Sequence, residues 1–260
     1  MQWHNRALIN LANRLVELPM GVFVIAISTV VFPALSRAAA SGKQSDFAST
    51  YRDGVSLSMM MALPAAVGLS MLAPEIIETL FQRGAFSEAD TMALAPILII
   101  CAIGMPFYSF VSIEVRAYYS QKDTKTPVKS ATLALIVNLV LSLSLLRLLD
   151  RIEALVIASN VAVIFQSVYL HLALRAKGQD LQLGKVLPAL VKFLFASVVM
   201  GIVLFVGERT LDRIDWGEWR SAMALIVLIP LGAAVYFVLL KAMGAKEVDE
   251  VLSAIRKKRA

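Results

Sequence analysis

One cysteine, Cys101, stands alone in an apolar run, so the chain has neither a disulfide framework nor the thiolate set of a zinc cluster. Histidine is almost as scarce, at two residues. No His-Glu-x-x-His pair, P-loop, Gly-x-Gly-x-x-Gly run or Ser/His/Asp ordering occurs. Acidic residues gather only in GERTLDRIDWGEWR, residues 207–220, where arginines are interleaved with them, the pattern of a solvated loop or a short amphipathic helix. Paired carboxylates placed for work at a membrane surface are missing. Charged residues of both signs make up only 17% of the chain. These absences weigh against metal, redox and covalent chemistry: no cofactor, no metal and no catalytic residue are expected.

What is present is hydrocarbon. Of 260 residues 58% are hydrophobic, and the mean hydropathy is +0.73, too apolar for an ordinary soluble domain of this size. Crossing about 30 Å of bilayer core takes about 20 apolar residues in a helix. Seven runs qualify, at about 15–35, 54–73, 91–113, 130–149, 154–174, 187–206 and 221–240. They are continuous rather than alternating, so helices and not barrel strands are expected, because in lipid each segment must satisfy its own backbone. The fold class is therefore all-α, a polytopic transmembrane bundle of about seven spans.

The net charge of +6 does not call for nucleic acid, since the cations sit in short connections and in the tail IRKKRA. Connections at 36–53, 114–129 and 175–186, with the tail from 241, hold sixteen Lys and Arg residues, against eight on the opposite side. That bias puts the C-terminus in the cytoplasm and the N-terminus outside, with Trp3, Trp216 and Trp219 at the outer interface. MQWHNRALINLANRL has no clean apolar core or small-residue cleavage site and is not a signal peptide. Seven spans that begin outside look like the later part of a longer chain.

Pro19, Pro33, Pro64, Pro106 and Pro230, with Gly21, Gly68 and Gly232, fall inside the runs, where they bend helices or let them approach closely. Polar residues inside the runs are few enough to weigh singly. Arg14 and Glu17 are three apart, and Asn13 and Glu17 four apart, so the three share nearly one face where the first run begins. Two readings stand. The stripe faces an aqueous cavity in which the guanidinium grips a phosphate and Glu17 holds its rotamer, or Arg14 reaches the headgroups from a helix end. Asn138 and Ser142, four apart, suit an interhelical hydrogen bond or a cation, and Asn160, Gln166 and His171 read the same way. Lys192 lies within snorkelling reach of the cytoplasmic side, and Arg147, Asp150 and Arg151 mark an outer interface.

Three stretches carry a resemblance. ANRLVELPMGVFVIAISTVVFPALSR (12–37), LFQRGAFSEADT (80–91) and RAYYSQKDTKTPVK (116–129) resemble, in order and spacing, an arginine-headed helix, an outer loop and a cytoplasmic loop of the bacterial lipid II flippases of the multidrug/oligosaccharidyl-lipid/polysaccharide exporter superfamily. The resemblance implies a 14-helix transporter of two lobes around a central cavity, of which this chain is similar to helices eight to fourteen. It implies that Arg14 occupies the position of a cavity arginine engaging the substrate diphosphate. Glu17 matches a neighbouring acidic position, and Asn13 stands where some relatives carry an acid. Members that hold sodium do so between the seventh, eleventh and twelfth helices. Asn138 falls at a matching position, but Ser142 replaces a carboxylate, which leaves sodium short of a ligand.

The expectation is then a lipid II flippase, moving undecaprenyl-diphosphate-linked disaccharide pentapeptide across the bacterial inner membrane by alternating access, as part of peptidoglycan synthesis. Residues 1–174 would form the second-lobe core, 175–240 two additional helices with a groove for the lipid tail, and 241–260 a basic cytoplasmic tail. Partners are lipid II, membrane lipids and a missing N-terminal lobe. Rival readings are an exporter of another polyprenyl-linked glycan or of drugs, an integral-membrane enzyme of lipid or glycan metabolism, and a scaffold subunit without transport of its own.

Overall fold

The computed structural model describes residues 2–177, 181–211 and 217–249, and their side chains except at 2–6, 22–29 and 218. Every long apolar run forms a helix. In chain order these are α1 (Gln2–Ala40), α2 (Gln44–Met71), α3 (Ala73–Phe81), α4 (Glu88–Ser120), α5 (Lys125–Leu149), α6 (Glu153–Ala176), α7 (Leu187–Leu211) and α8 (Arg220–Ala242). No strand occurs among the described residues. Six of them, α2 and α4 to α8, are long and apolar enough to cross a membrane, judged on the described residues. The backbone of α1 is helical over 39 residues, about 58 Å at 1.5 Å per residue. Trp219 is exposed, while the Trp3 side chain, Trp216 and tail residues 250–260 lie outside the described residues.

The unexpected element is α3, a nine-residue helix that starts at the end of the 54–73 run and takes up the first half of the connection to the 91–113 run. APEIIETLF carries Pro74 in its first turn, where a missing N–H is harmless, and its Ala73 and Ile77 are fully buried. The next helix begins with a capping box: the Ser87 N–H donates to Asp90 Oδ2 at 2.7 Å.

Three large apolar clusters and a small one around Ala66, Ala102 and Met105 hold the bundle. One joins α1, α2, α4 and α6 around Leu35, Tyr51, Tyr118 and Leu170. A second joins α2, α7 and α8 around Met60, Phe193, Met200 and Tyr236. The third packs α1, α3 and α4 through Leu15, Ile77, Leu94 and Leu98. Gly201 on α7 allows close contact with α2, since a Cβ there would lie 2.9 Å from Val67 Cγ1. By contrast α5 rests mainly on α6, leaving Leu135, Leu139 and Leu143 exposed.

The cation-rich connections gather at one end of the bundle. There Asp123 pairs with Lys177, and Arg52 Nη1 donates to the Leu181 carbonyl at 3.2 Å. Ser56 Oγ donates to Glu247 Oε1 at 2.5 Å, joining α2 to the segment after α8. Lys192, expected to reach the interface, donates instead to the Met243 carbonyl at 2.8 Å and so caps the C-terminus of α8. At the other end Asp150 ends α5 in the left-handed conformation, φ 47°, its N–H donating to the Leu146 carbonyl at 3.0 Å.

Candidate functional site: a polar cavity beside an apolar groove

On α1, Ile9, Asn13, Val16, Glu17 and Met20 recur every three or four residues and so share one face. That face borders a cavity of about 430 Å³, closed by Cys101 and Tyr108 of α4 and by Val156, Ser159 and Asn160 of α6. Asn13 Oδ1 accepts from Cys101 Sγ at 3.8 Å, which ties α1 to α4. Asn160 Nδ2 donates to the Ile100 carbonyl at 2.6 Å and ties α6 to α4. Gly104 makes room for that amide, because a Cβ there would collide with Asn160 Oδ1.

Two polar groups that are far apart in the chain meet here. Asn138 Nδ2 on α5 donates to Ser159 Oγ at 2.9 Å, and Ser142 Oγ donates to Asn138 Oδ1 at 3.1 Å. Ser159 lines the cavity, so Asn138 and Ser142 stand directly behind its wall. Gln166 Nε2 donates to Ser130 Oγ at 3.3 Å, a second α5–α6 bond, whereas His171 Nδ1 has no partner among the described residues. No group of three or more metal-ligating side chains occurs among the described residues.

Arg14 is exposed and is not part of the cavity wall, and Glu17, also exposed, is the one charged group that lines the cavity among the described residues. One residue along a helix is a rotation of about 100°, which carries Arg14 away from Asn13 and onto the same stripe as Leu18, 66% exposed. Among the described residues Arg14 makes no hydrogen bond or ion pair. The cavity therefore sets two amides, the Ser159 and Tyr108 hydroxyls and one carboxylate among side chains such as Val16, Met20, Leu155 and Val156 that make most of its lining apolar, with a guanidinium on the adjoining open face.

Two further hollows follow the same α1–α4 seam toward the cation-rich end. The first, about 460 Å³, is lined by Phe32, Ser112 and the half-buried Arg116, whose Nη1 donates to the Ser112 carbonyl at 2.5 Å. The second, about 650 Å³, is lined by Ser36, Lys43, Gln44, Tyr119, Gln121 and Lys122. Across α1 from the polar cavity lies an apolar groove of about 510 Å³ between α2, α3, α7 and α8. Pro19 lines this groove, while Glu17 and Met20 line the polar cavity. One helix thus separates a cavity that carries a few polar groups from a groove that carries almost none.

The sequence profile of the lipid II flippase MurJ family matches residues 5–250. The chain belongs to that family. A probable lipid II flippase MurJ of Vibrio cholerae serotype O1 is 30% identical over 239 residues, 92% of this chain and 45% of that protein. One from Thermotoga maritima is 31% identical over 246 residues, 95% of this chain and 47% of that protein. A solved structure of a lipid II flippase MurJ in an inward closed conformation matches with a TM-score of 0.73 at 26% identity, covering 92% of this chain and 47% of that one. The chain spans about half the length of the curated relatives it matches, and within that half it is a multi-pass helical membrane protein of the lipid II flippase family.

Sequence reasoning singled out Asn13, Glu17 and Asn138 but not Tyr108, Ser159 or the Arg116 hollow. Each of these comes from a helix about 90–150 positions away, and no spacing within one helix announces such a meeting.

Proposed function

We propose that this chain handles lipid II as one lobe of a flippase, carrying the undecaprenyl-diphosphate-linked disaccharide pentapeptide outward across the bacterial inner membrane with its C-terminus in the cytoplasm. The observation that carries the reading is the width of α1. A lipid-linked glycan is polar at one end and a long hydrocarbon at the other, and here a cavity that carries two amides, two hydroxyls and a carboxylate on a largely apolar lining lies one helix away from an almost wholly apolar groove. The headgroup would travel along the α1–α4 seam, meeting Lys43 and Lys122 first, then Arg116, then the chamber at Asn13 and Glu17. The prenyl tail would lie in the groove beside α7 and α8. Residues 1–174 would then serve as the headgroup-handling core and 175–240 as the wall that holds the tail.

Arg14 is proposed to grip the diphosphate. A planar guanidinium binds phosphate oxygens in pairs, and its place on an open face suits a residue that closes on substrate between two lobes. Glu17, three residues on, would steer it rather than touch phosphate. Asn138 and Ser142 are proposed to brace Ser159 in the wall, with no cation required. The relatives are about twice as long, so a second lobe is the proposed partner that completes the clamp. The work asked of these residues is binding and release, not bond breaking, which makes the reading that of a transporter rather than an enzyme.

Complementation tests this. A bacterium depleted of its own lipid II flippase is given the chain alone, then the chain together with the N-terminal half of the Thermotoga maritima relative. Growth with the pair and not with either half supports a lobe of a lipid II flippase. No rescue by the pair, although both halves reach the membrane, overturns it.

A further inference from the structure

Glu114 of α4 has no exposed surface, and neither of its carboxyl oxygens has a hydrogen-bond partner among the described residues. Its neighbours along α4, Ile113, Ala117 and Tyr118, belong to the apolar cluster that also holds Tyr51 of α2. The Tyr51 hydroxyl is buried there without a partner as well. Ser58 pairs with Ser109, and a Cβ at Gly54 would lie 3.6 Å from Ile113 Cγ2, so α2 and α4 run antiparallel. That register sets Tyr51 and Glu114 within about one turn of each other in depth, near the cation-rich end. An isolated carboxylate in apolar surroundings costs far more than a neutral acid, and an ionisable side chain inside a membrane helix calls for a use.

Among the described residues no cation balances this carboxyl. On the helices packed against α4, Arg37 of α1, Asp53 of α2, Lys125 and Lys129 of α5 and Arg175 of α6 are all exposed. Arg52 of α2 donates to the Leu181 carbonyl. Arg116, two residues along α4 and so turned to its other side, donates to the Ser112 carbonyl. The other titratable groups near this depth are Tyr118, whose hydroxyl donates to the Leu170 carbonyl at 2.8 Å, and the half-buried Tyr169 and His171 of α6.

We propose that Glu114 is a proton-binding site: its carboxyl is neutral while α2, α4 and α6 close around it, and it releases the proton to water when these helices part at the cation-rich end. Opening and deprotonation form one equilibrium, because the water that hydrates the carboxylate also gives Tyr51 a partner. Closing that end therefore takes up one proton. The site rests on burial and on the orphaned oxygens. Its link to transport rests on the function proposed above, in which the headgroup enters from that end along the seam that Arg116 lines.

Infrared spectra of the full chain in lipid nanodiscs, in ordinary and heavy water, read the acid directly. At about pH 7 the unsubstituted chain should show the C=O band of a protonated carboxylic acid that Glu114→Gln lacks. Spin labels at Ser45→Cys on α2 and Thr124→Cys in the turn after α4, both exposed positions, in a chain carrying Cys101→Ser, read the opening as a distance. As pH rises from about 6 to about 10, the band should fade and the distance lengthen with one midpoint. Glu114→Gln, which keeps the shape and cannot ionise, should hold the short distance throughout. A band present also in the variant, a band or a distance that ignores pH in the unsubstituted chain, or a variant distance that still moves overturns the proposal. Growth of the complementing pair separates the two readings. Where the unsubstituted pair grows, Glu114→Gln should slow it at normal protein level, and growth at the full rate overturns the link to transport. An unsubstituted pair that fails to grow sinks the flippase reading and leaves the band and the distance to judge the site.

Discussion

Gly104 of α4 and Asn160 of α6 occupy one volume between them: the missing Cβ of the first is the space in which the amide of the second reaches the Ile100 carbonyl at 2.6 Å. The pair welds two helices at the wall of the polar cavity. Glycine is needed there for space, not for backbone freedom.

Gly104→Ala should therefore displace the Asn160 amide and leave a part-buried polar group without its bond, at about 1–3 kcal/mol. The expected result is a lower melting temperature in detergent and weaker headgroup binding. Pairing Gly104→Ala with Asn160→Ala, which removes the obstructing amide, should recover much of the stability. A melting temperature unchanged by Gly104→Ala would contradict this packing.

Asp123 makes the second prediction. Its carboxylate accepts from Lys177, from the Thr126 hydroxyl at 2.6 Å and from the Lys125 and Thr126 N–H groups at 3.0 Å each, at the start of α5. Hydrogen bonds from Lys177 and Thr126 hold it well below the usual carboxylate range. A depressed carboxyl stabilises the fold above the unfolded value of about 4, and that contribution fades as pH falls below it. Thermal unfolding from neutral pH down to about pH 3 should show this acid loss reduced in Asp123→Asn. An identical acid limb in the variant would contradict it.

Glu75 gives the opposite sign. Its folded value of about 7 lies above its ordinary one, so its protonated form favours the folded chain and stability falls as pH rises from about 4.5 through 7. Glu75→Gln should flatten that slope, which a melting series across the range would reveal. A slope of equal size in the variant would contradict the assignment.

Tyr236 on α8 donates to the Met60 carbonyl of α2 at 2.7 Å, both residues fully buried. Tyr236→Phe keeps the ring and leaves a bare carbonyl, for a loss of about 1–3 kcal/mol, visible as a lower detergent melting temperature. An unchanged melting temperature would mean that the bond adds nothing to the seam.

How far the sequence could be read follows from these residues. The spans were legible because twenty apolar residues in a row have one physical solution in lipid, and α2, α4 and α8 form where the hydropathy rises. The helix α3 was not legible, since nine residues with two glutamates resemble a loop until Ile77 is seen fully buried. Glu208 reads as part of a solvated loop for the same reason, whereas α7 continues through it to Leu211. Asn13, Arg14 and Glu17 read from the sequence as one stripe, and the structure sets Asn13 and Glu17 on the cavity but turns Arg14 onto the adjoining open face. What lay opposite that face, Tyr108, Ser159 and Asn160, depends on packing between helices and not on any local period.

Arg116 extends the same argument to the seam. If the headgroup passes its hollow, Arg116→Gln in the complementing pair should slow growth while leaving protein level and melting temperature near those of the unsubstituted chain. Growth at the full rate would remove this residue from the path.

The account turns on Arg14, and affinity for undecaprenyl diphosphate, measured with the full chain in nanodiscs, tests it most directly. Losing a charged hydrogen-bonding pair of about 1.5–3 kcal/mol corresponds to roughly a 10- to 150-fold loss. Arg14→Ala should show a loss in that range, with Arg14→Lys recovering only part because a lysine lacks the planar fork. Equal affinity in Arg14→Ala and the unsubstituted chain would contradict the account.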